Sequence, residues 1–464
     1  MRVPSLRTAA AALLFTSYHV TEAATPEQWR SRSIYQLLTD RFGRTDGSTT
    51  APCNPGDYNY CGGSWRGIIN QLDYIQEMGF TAIWISPIAF NIPDRTPFGY
   101  AYHGYWQQDL TKVNSHFGTE NDLKALSDAL HARDMYLMID VIVNHNGWNG
   151  DQASVDYSKF IPFNDKKYYH DFCSIDYNNQ TSVEVCWLGD SNVELVDLKT
   201  DSQEVVDGYK KWIADLVSKY SLDGLRIDTV KHVDKDFWSS FREAAGVFCM
   251  GEVVSSNPSY VCDYQNHLDS ILNFPAYDPI VPFLSNSAGT DGLISVINDM
   301  KSACKDVSVL GIFTESHDVP RIASWTADIN LAKNALVYTF MWDGIPIVYA
   351  GQEQHFSGYA DPANREATWL SGYDQSSELY ITTTAINAIR NHVISIDPGY
   401  TTYGIKAIYN DAHTAAFRKG TDGKQIVSVI TNGGENSGTS TLKLAGTGWR
   451  AGTEVVEILT CRRS

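Results

Sequence analysis

The sequence predicts an α/β fold, a (β/α)8 TIM barrel that carries an inserted subdomain after its third strand and is followed by a smaller antiparallel β domain. Three observations predict it. Short β-branched and aromatic runs alternate with longer segments of helical period, the signature of βα units around a parallel sheet. Eight such runs fall within roughly 370 residues, the number and span of a barrel enlarged by insertions. After about Asp397 the pattern changes to short alternating segments separated by Gly, Asn and Asp turns, which reads as an antiparallel sheet.

The predicted strands are residues 33–38, 81–85, 136–141, 224–228, 247–252, 270–273, 309–315 and 345–349. Between them, segments such as NDLKALSDALHAR (121–133) and VVDGYKKWIADLVSKY (205–220) repeat their apolar residues at three- and four-residue steps, as crossover helices do. Residues 144–198 are rich in Asp, Asn, Tyr and Gly without helical period, and far longer than an ordinary loop. They form the predicted subdomain. The barrel is therefore assigned to 24–143 and 199–396, and the C-terminal β domain to 397–464, where AIYND, TAAFRKG, QIVSVITN, STLKLAG and EVVEILT alternate.

The 464 residues are 43% hydrophobic, 19% charged and 12% aromatic, with 26 Tyr and 12 Trp, enough apolar surface for a large core. The 36 Lys and Arg against 54 Asp and Glu leave a net charge of −18, a field that repels a phosphate backbone and argues against nucleic acid as a partner. A neutral substrate is indifferent to it. Residues 1–23 place Arg2 and Arg7 ahead of an apolar run of seven residues, Ala9 to Phe15, and end in small residues near Ala23. That pattern reads as a secretory signal peptide, since a membrane span needs about 20 apolar residues. A secreted protein with no membrane association is expected, so its eight cysteines are available for disulfides. The sequon Asn179-Gln180-Thr181 fits glycosylation on that route.

Reactive groups in such a barrel lie at the C-terminal ends of strands. The fourth strand, Gly224-Leu225-Arg226-Ile227-Asp228, puts Arg226 and Asp228 on one face and Leu225 and Ile227 on the other. An inward arginine favours the ionised carboxylate that a nucleophile needs. A buried pair bracing the barrel is the competing reading, at roughly even odds from spacing alone. The fifth strand ends at Glu252, a lone acid after an apolar run, where burial raises the pKa as a general acid requires. The seventh runs into Glu315-Ser316-His317-Asp318 and the third into Asp140-Val141-Ile142-Val143-Asn144-His145. Cys249, three residues before Glu252, faces the helices as a buried free thiol.

The segments DVIVNH (140–145), GLRIDTVKH (224–232), GEV (251–253) and SHD (316–318) stand in the order and spacing of four motifs of the α-amylase family of retaining glycoside hydrolases, which the chain resembles. WRSRSIYQLLTDRF, AYHGYWQQD, YAGQEQHF and DPANREATWLSGY are similar to its secreted fungal members of the Taka-amylase type. The resemblance runs from about Ala24 to near the C-terminus. It implies Asp228 as nucleophile, Glu252 as acid and base, and Asp318 as stabiliser of the distorted sugar, with the first two carboxylates about 5 to 5.5 Å apart. It implies that Arg226 keeps Asp228 charged, that His145 and His317 bond the sugar at the cleavage point, and that Tyr105 is a stacking platform with Trp106 alongside. Lys231, His232, Asp361 and Arg365 match positions that touch neighbouring glucose units.

Calcium is the implied cofactor, with Asn144, Glu184, Asp197 and the His232 carbonyl as an all-oxygen ligand set. On sequence alone these are unrelated surface acids and amides, because the spacing is not a compact loop motif. The resemblance also implies the disulfides Cys53–Cys61, Cys173–Cys186 and Cys262–Cys304, and leaves Cys461 without its family partner, so the C-terminal domain is expected to be truncated. Ser316 and Val319 stand where relatives usually carry Asn, and Tyr58 where a polar residue is common at the cleft rim. The activity implied is endo-hydrolysis of α-1,4-glucan by a monomer. An α-glucan transferase and a catalytically weak glucan-binding homologue remain as alternatives.

Overall fold

The computed structural model describes residues 24–439, 441–450, 452–459 and 462–463. The proposed signal segment and Cys461 lie outside the described residues. Eight parallel strands follow one another around the molecule: β1 (Ile34–Leu37), β2 (Ala82–Ile85), β3 (Tyr136–Val141), β4 (Gly224–Ile227), β5 (Phe248–Gly251), β6 (Ser270–Ile271), β7 (Gly311–Ile312) and β8 (Ile345–Tyr349). Their order is β6-β5-β4-β3-β2-β1-β8-β7, and a parallel bridge from Leu272 to Gly311 closes the ring. Gly311 is required there. A Cβ on it would lie 2.7 Å from Met250 Sδ and 2.9 Å from both Ile347 Cδ1 and Leu272 Cδ2, inside the packed barrel.

Side chains alternate as the pleat demands. Ile34, Ala82, Trp84, Met138, Met250 and Ile347 fill the barrel interior. Tyr35, Leu37, Ile83, Ile139, Leu225, Ile227 and Cys249 face the surrounding helices in a second, larger core. The buried Cys249 is a free thiol in that outer layer. Strands β6 and β7 are shorter than their sequence pattern; beyond Ile312 the chain leaves the ladder and buries Glu315 against Arg321 (3.2 Å).

Two excursions shape the mouth of the barrel. After β2 an antiparallel pair, Ala89–Asn91 with Gln107–Val113, interrupted by bulges, carries the loop bearing Tyr105 and Trp106; the sequence pattern did not single it out. After β3 the predicted subdomain is a three-stranded antiparallel sheet, with Val193–Asp197 between His145–Asn149 and Leu188–Asp190, plus the short helix Gln180–Val185. Gly147 lets this sheet meet the first excursion, since a Cβ there would sit 2.7 Å from the Trp106 backbone. Disulfides join Cys53 to Cys61, Cys173 to Cys186 and Cys262 to Cys304.

The C-terminal part forms a three-stranded antiparallel meander, β9 (Lys406–Asn410), β10 (Thr414–Lys419) and β11 (Ile426–Thr431). The segment around Leu442 and Leu444 keeps its alternation of half-buried and exposed residues but joins no ladder, while Val456–Glu457 pairs with Arg462–Arg463. The meander docks on the helix Ile329–Met341 through Phe417 against Trp342 (5.2 Å between centroids). Buried Lys419 bonds Asp343 Oδ1 (2.9 Å) and the Trp342 carbonyl (2.8 Å) at the same seam.

Candidate active site

One guanidinium organises the C-terminal mouth of the barrel. Arg226, buried on β4, bonds Asp140 on β3 through Nη1 (2.9 Å), Asp228 through the same nitrogen (2.8 Å), and Glu252 beyond β5 through Nη2 (2.8 Å). The backbone ladder places these acids: Asp228 N donates to the Val141 carbonyl (2.9 Å) and Glu252 N to the Ile227 carbonyl (2.8 Å). Thr229 then turns into the left-handed region (φ 49°), a conformation costing a β-branched residue roughly 1–2 kcal/mol. The turn aims its N–H at Glu252 Oε2 (2.9 Å) and its hydroxyl at Asp228 Oδ2 (3.1 Å).

Three carboxylates around one cation leave excess negative charge in a desolvated site. Burial pushes Asp140 up to about 6 despite Arg226. Asp228 is pushed well above the usual aspartate range, first by burial and then by the facing Glu252 carboxylate, with Arg226 pulling the other way. Arg226 acts in the direction the sequence suggests, favouring the ionised form, while burial and Glu252 act against it. A single guanidinium divided among three acids does not offset the desolvation of Asp228, which therefore holds a proton more readily than an isolated aspartate.

Opposite them, Tyr105 Oη lies 2.8 Å from Asp140 Oδ2 and 2.7 Å from His317 Nε2, and its ring stacks on the His317 imidazole (centroids 5.3 Å, 9°). Burial holds His317 well below the ordinary histidine range, hence neutral. Gln36 Nε2 lies 2.7 Å from its Nδ1, which assigns the ring proton to Nε2, facing Tyr105 Oη and Asp318 Oδ2 (3.1 Å). Asp318 is 40% exposed, and Arg365 approaches it (3.5 Å) while bonding Asp361 (3.2 Å). The cleft between is walled by Trp84, Leu272, Phe274, Phe313 and Ser316.

His145, on the other flank, is buried and neutral, pushed down to about 4 by burial, and its Nε2 donates to the Tyr105 carbonyl (3.2 Å). Trp106 packs edge-on against His103 (4.5 Å). Lys231 Nζ bonds the Val254 carbonyl (3.0 Å) and lies 5.6 Å from the Tyr177 ring. Tyr58 adopts φ 53° at the rim, where its carbonyl accepts from Tyr100 N (2.8 Å).

Asn144, Asp197 and His232 meet where the subdomain joins the barrel. The Asn144 amide atom that faces the His232 carbonyl (2.7 Å) and Asp197 Oδ1 (3.0 Å) is placed as oxygen, so three oxygens face one another. Turning the amide would let its nitrogen donate to both. It would also undo the contact of Asn144 Nδ2 with His145 Nδ1 (3.3 Å), the nitrogen left bare when His145 Nε2 donates to Tyr105. The placed orientation thus satisfies the histidine and leaves an oxygen set suited to a hard cation. Among the described residues no three His, Cys, Asp or Glu side chains form a metal cage; this set relies on a carboxamide and a backbone carbonyl instead. Asp197 Oδ2 is bonded by His170 (2.7 Å) and His232 donates to the Val183 carbonyl (3.0 Å). The side chain of Glu184, next in the chain, accepts from Gln180 (2.7 Å).

Several site residues escaped the sequence reading. The motif containing Asp140 assigns that residue no part in the site, and the pattern at Gln36 and Trp84 indicates only strand. A polar residue amid apolar neighbours in β1 was the available signal for Gln36. Asn364 had none. Fully buried, it donates to the carbonyls of His317 (3.1 Å) and Val319 (3.0 Å), while Arg365 Nε also reaches the His317 carbonyl (3.2 Å). These groups brace the loop from outside. Ser316 adds a local bond by accepting from Asp318 N (3.1 Å), and Val319 packs against the barrel interior.

Family models described as "Alpha amylase, catalytic domain" and "Alpha-amylase, domain C" match residues 36–403 and 407–464. Alpha-amylase 2 of Schwanniomyces occidentalis is 50% identical over 97% of this chain and 89% of its own length. The Alpha-amylase of Saccharomycopsis fibuligera is 47% identical over 94% of this chain and 87% of its own. The structure of an alpha-amylase from Malbranchea cinnamomea superposes with a TM-score of 0.93 at 53% identity, covering 95% of this chain and 93% of that one. With the eight-stranded barrel and the acids at its mouth, these matches establish that the chain belongs to the α-amylase family.

Proposed function

We propose that this protein hydrolyses internal α-1,4-glucosidic bonds of starch, glycogen and related α-glucans with retention of configuration. The observation that carries the reading is Arg226 holding Asp228 and Glu252 on its two terminal nitrogens (2.8 Å each), the close pairing of a retaining enzyme, with Asp318 across the cleft. Asp228 attacks the anomeric carbon and forms a glycosyl-enzyme while Glu252 passes a proton to the departing glycosidic oxygen. Glu252 then takes a proton from water, whose oxygen displaces Asp228. Asp318 acts on the hydroxyls of the distorted sugar with His317 beside it, Tyr105 supplies a ring face, and His145 positions Tyr105. Lys231, His232, Asp361 and Arg365 contact adjoining glucose units.

The oxygens of Asn144, Asp197 and His232 would hold calcium, with Glu184 following the Val183 carbonyl to which His232 donates. Bound there it supplies charge compensation that fastens the subdomain to the barrel. Residues 1–23 direct secretion, and Asn179, exposed at the start of its helix with its Oδ1 accepting from Thr181 N (3.1 Å), is offered for glycosylation. Incubation with soluble starch tests the activity: long early fragments of α configuration are expected from the parent, and about 10^4-fold slower release from Asp228→Asn with glucan binding retained. Unchanged cleavage by D228N overturns the assignment, and enlarged oligosaccharides from the parent identify a transferase.

A further inference from the structure

Beyond the cleft wall lies a pair of aromatic rings that the proposed mechanism does not use. Trp325 and Tyr359 are 41% and 54% exposed, and their rings meet edge to face with centroids 5.0 Å apart. Trp325 ends the helix Ile322–Trp325, seven residues after Asp318; Tyr359 stands two residues before Asp361. The two loops are fastened together beneath the rings. Arg321 N donates to the Gly358 carbonyl (3.1 Å), Gly358 N to Glu366 Oε1 (2.8 Å), and the buried Arg321 side chain to Glu366 Oε2 (2.7 Å) and the Ala350 carbonyl (3.0 Å). The pair is pre-set on a rigid base.

Both loops also reach the cleft: one carries Asp318 and the other Asp361, and Arg365 spans the two carboxylates (3.5 and 3.2 Å). Large amphipathic rings at a wet surface suit a ligand with an apolar face and polar edges, which a glucosyl ring has: its C–H face packs on the aromatics while its hydroxyls stay hydrated. We propose that Trp325 and Tyr359 form a stacking platform for a further glucosyl residue of the same α-glucan chain, outside the units held at the cleavage point. Such a platform favours long chains over short ones. This rests on the α-glucan reading above.

The test compares amylose with 4-nitrophenyl α-maltotrioside, too short to span both sites. The double variant Trp325→Ala/Tyr359→Ala is expected to raise KM for amylose about tenfold, equivalent to about 1.4 kcal/mol, with kcat held. Rates on the maltotrioside should stay within about twofold, and Trp325→Tyr should recover most of the loss. An unchanged KM for amylose, or equal losses on both substrates, overturns the platform. A parent enzyme inert on amylose overturns the functional reading alone. The platform is then read from calorimetric binding of maltoheptaose to D228N with and without the double substitution, where equal affinity overturns it.

Discussion

Arg226 has one positive charge to divide among Asp140, Asp228 and Glu252. Its presence lowers the pKa of Asp228, while burial and Glu252 raise it further than the arginine can offset. As the proposed nucleophile, Asp228 must be ionised, so the acid limb of the pH profile is expected to follow this upward shift. Arg226→Gln removes the lowering influence, and the sign follows: Asp228 stays protonated to higher pH, so the acid limb of kcat/KM moves upward by about one unit or more. A pH–rate profile on a soluble maltooligosaccharide checks this, with a melting curve to show that the variant is folded. A limb that stays in place or moves down contradicts the account of the cluster.

At the scale of elements, the loop after β7 takes its shape from a residue far along the chain. Asn364 supplies donors to carbonyls on both sides of Asp318. Asn364→Ala strands those buried oxygens at about 1–3 kcal/mol and releases His317 and Asp318 from their positions. A loss of about 10- to 100-fold in kcat on starch is expected, beyond what the stability change explains. Kinetics together with thermal unfolding separate the two effects. The junction of subdomain and barrel makes a second prediction. If the Asn144, Asp197 and His232 oxygens hold calcium, a chelator removes about 2.7 kcal/mol of stability at ordinary hundredfold saturation. The melting temperature should fall by several degrees and return on adding calcium; indifference to chelation rejects the site.

For the whole molecule, the buried Lys419–Asp343 pair fastens the C-terminal meander to the barrel. Asp343 also accepts from Ile405 N (2.9 Å) and lies 3.6 Å from Lys301, so the seam is a network of polar groups behind Trp342 and Phe417. Lys419→Met removes one partner and leaves a buried carboxylate incompletely paired, at a cost of about 3 kcal/mol. The expected result is a lower denaturation midpoint with unchanged specific activity of the folded fraction, read by denaturant titration and initial rates. A loss of activity without loss of stability would mean that the seam reaches the cleft.

The chain's periodicities alone determined much of this protein. All eight barrel strands were legible, because apolar β-branched runs set against helical repeats are local patterns, and so was the face shared by Arg226 and Asp228, because a strand's pleat has period two. The acids at strand ends were legible for the same reason. Tertiary structure decided what depends on distance in space. It joined Asn364 to His317 across 47 positions, set Gln36 against His317 and Tyr105 against Asp140, and left the segment around Leu442 without a ladder despite its alternation. It also decided the upward shift of Asp228, since the desolvation that outweighs Arg226 comes from walls contributed by several strands at once, and no run of neighbouring residues encodes that sum.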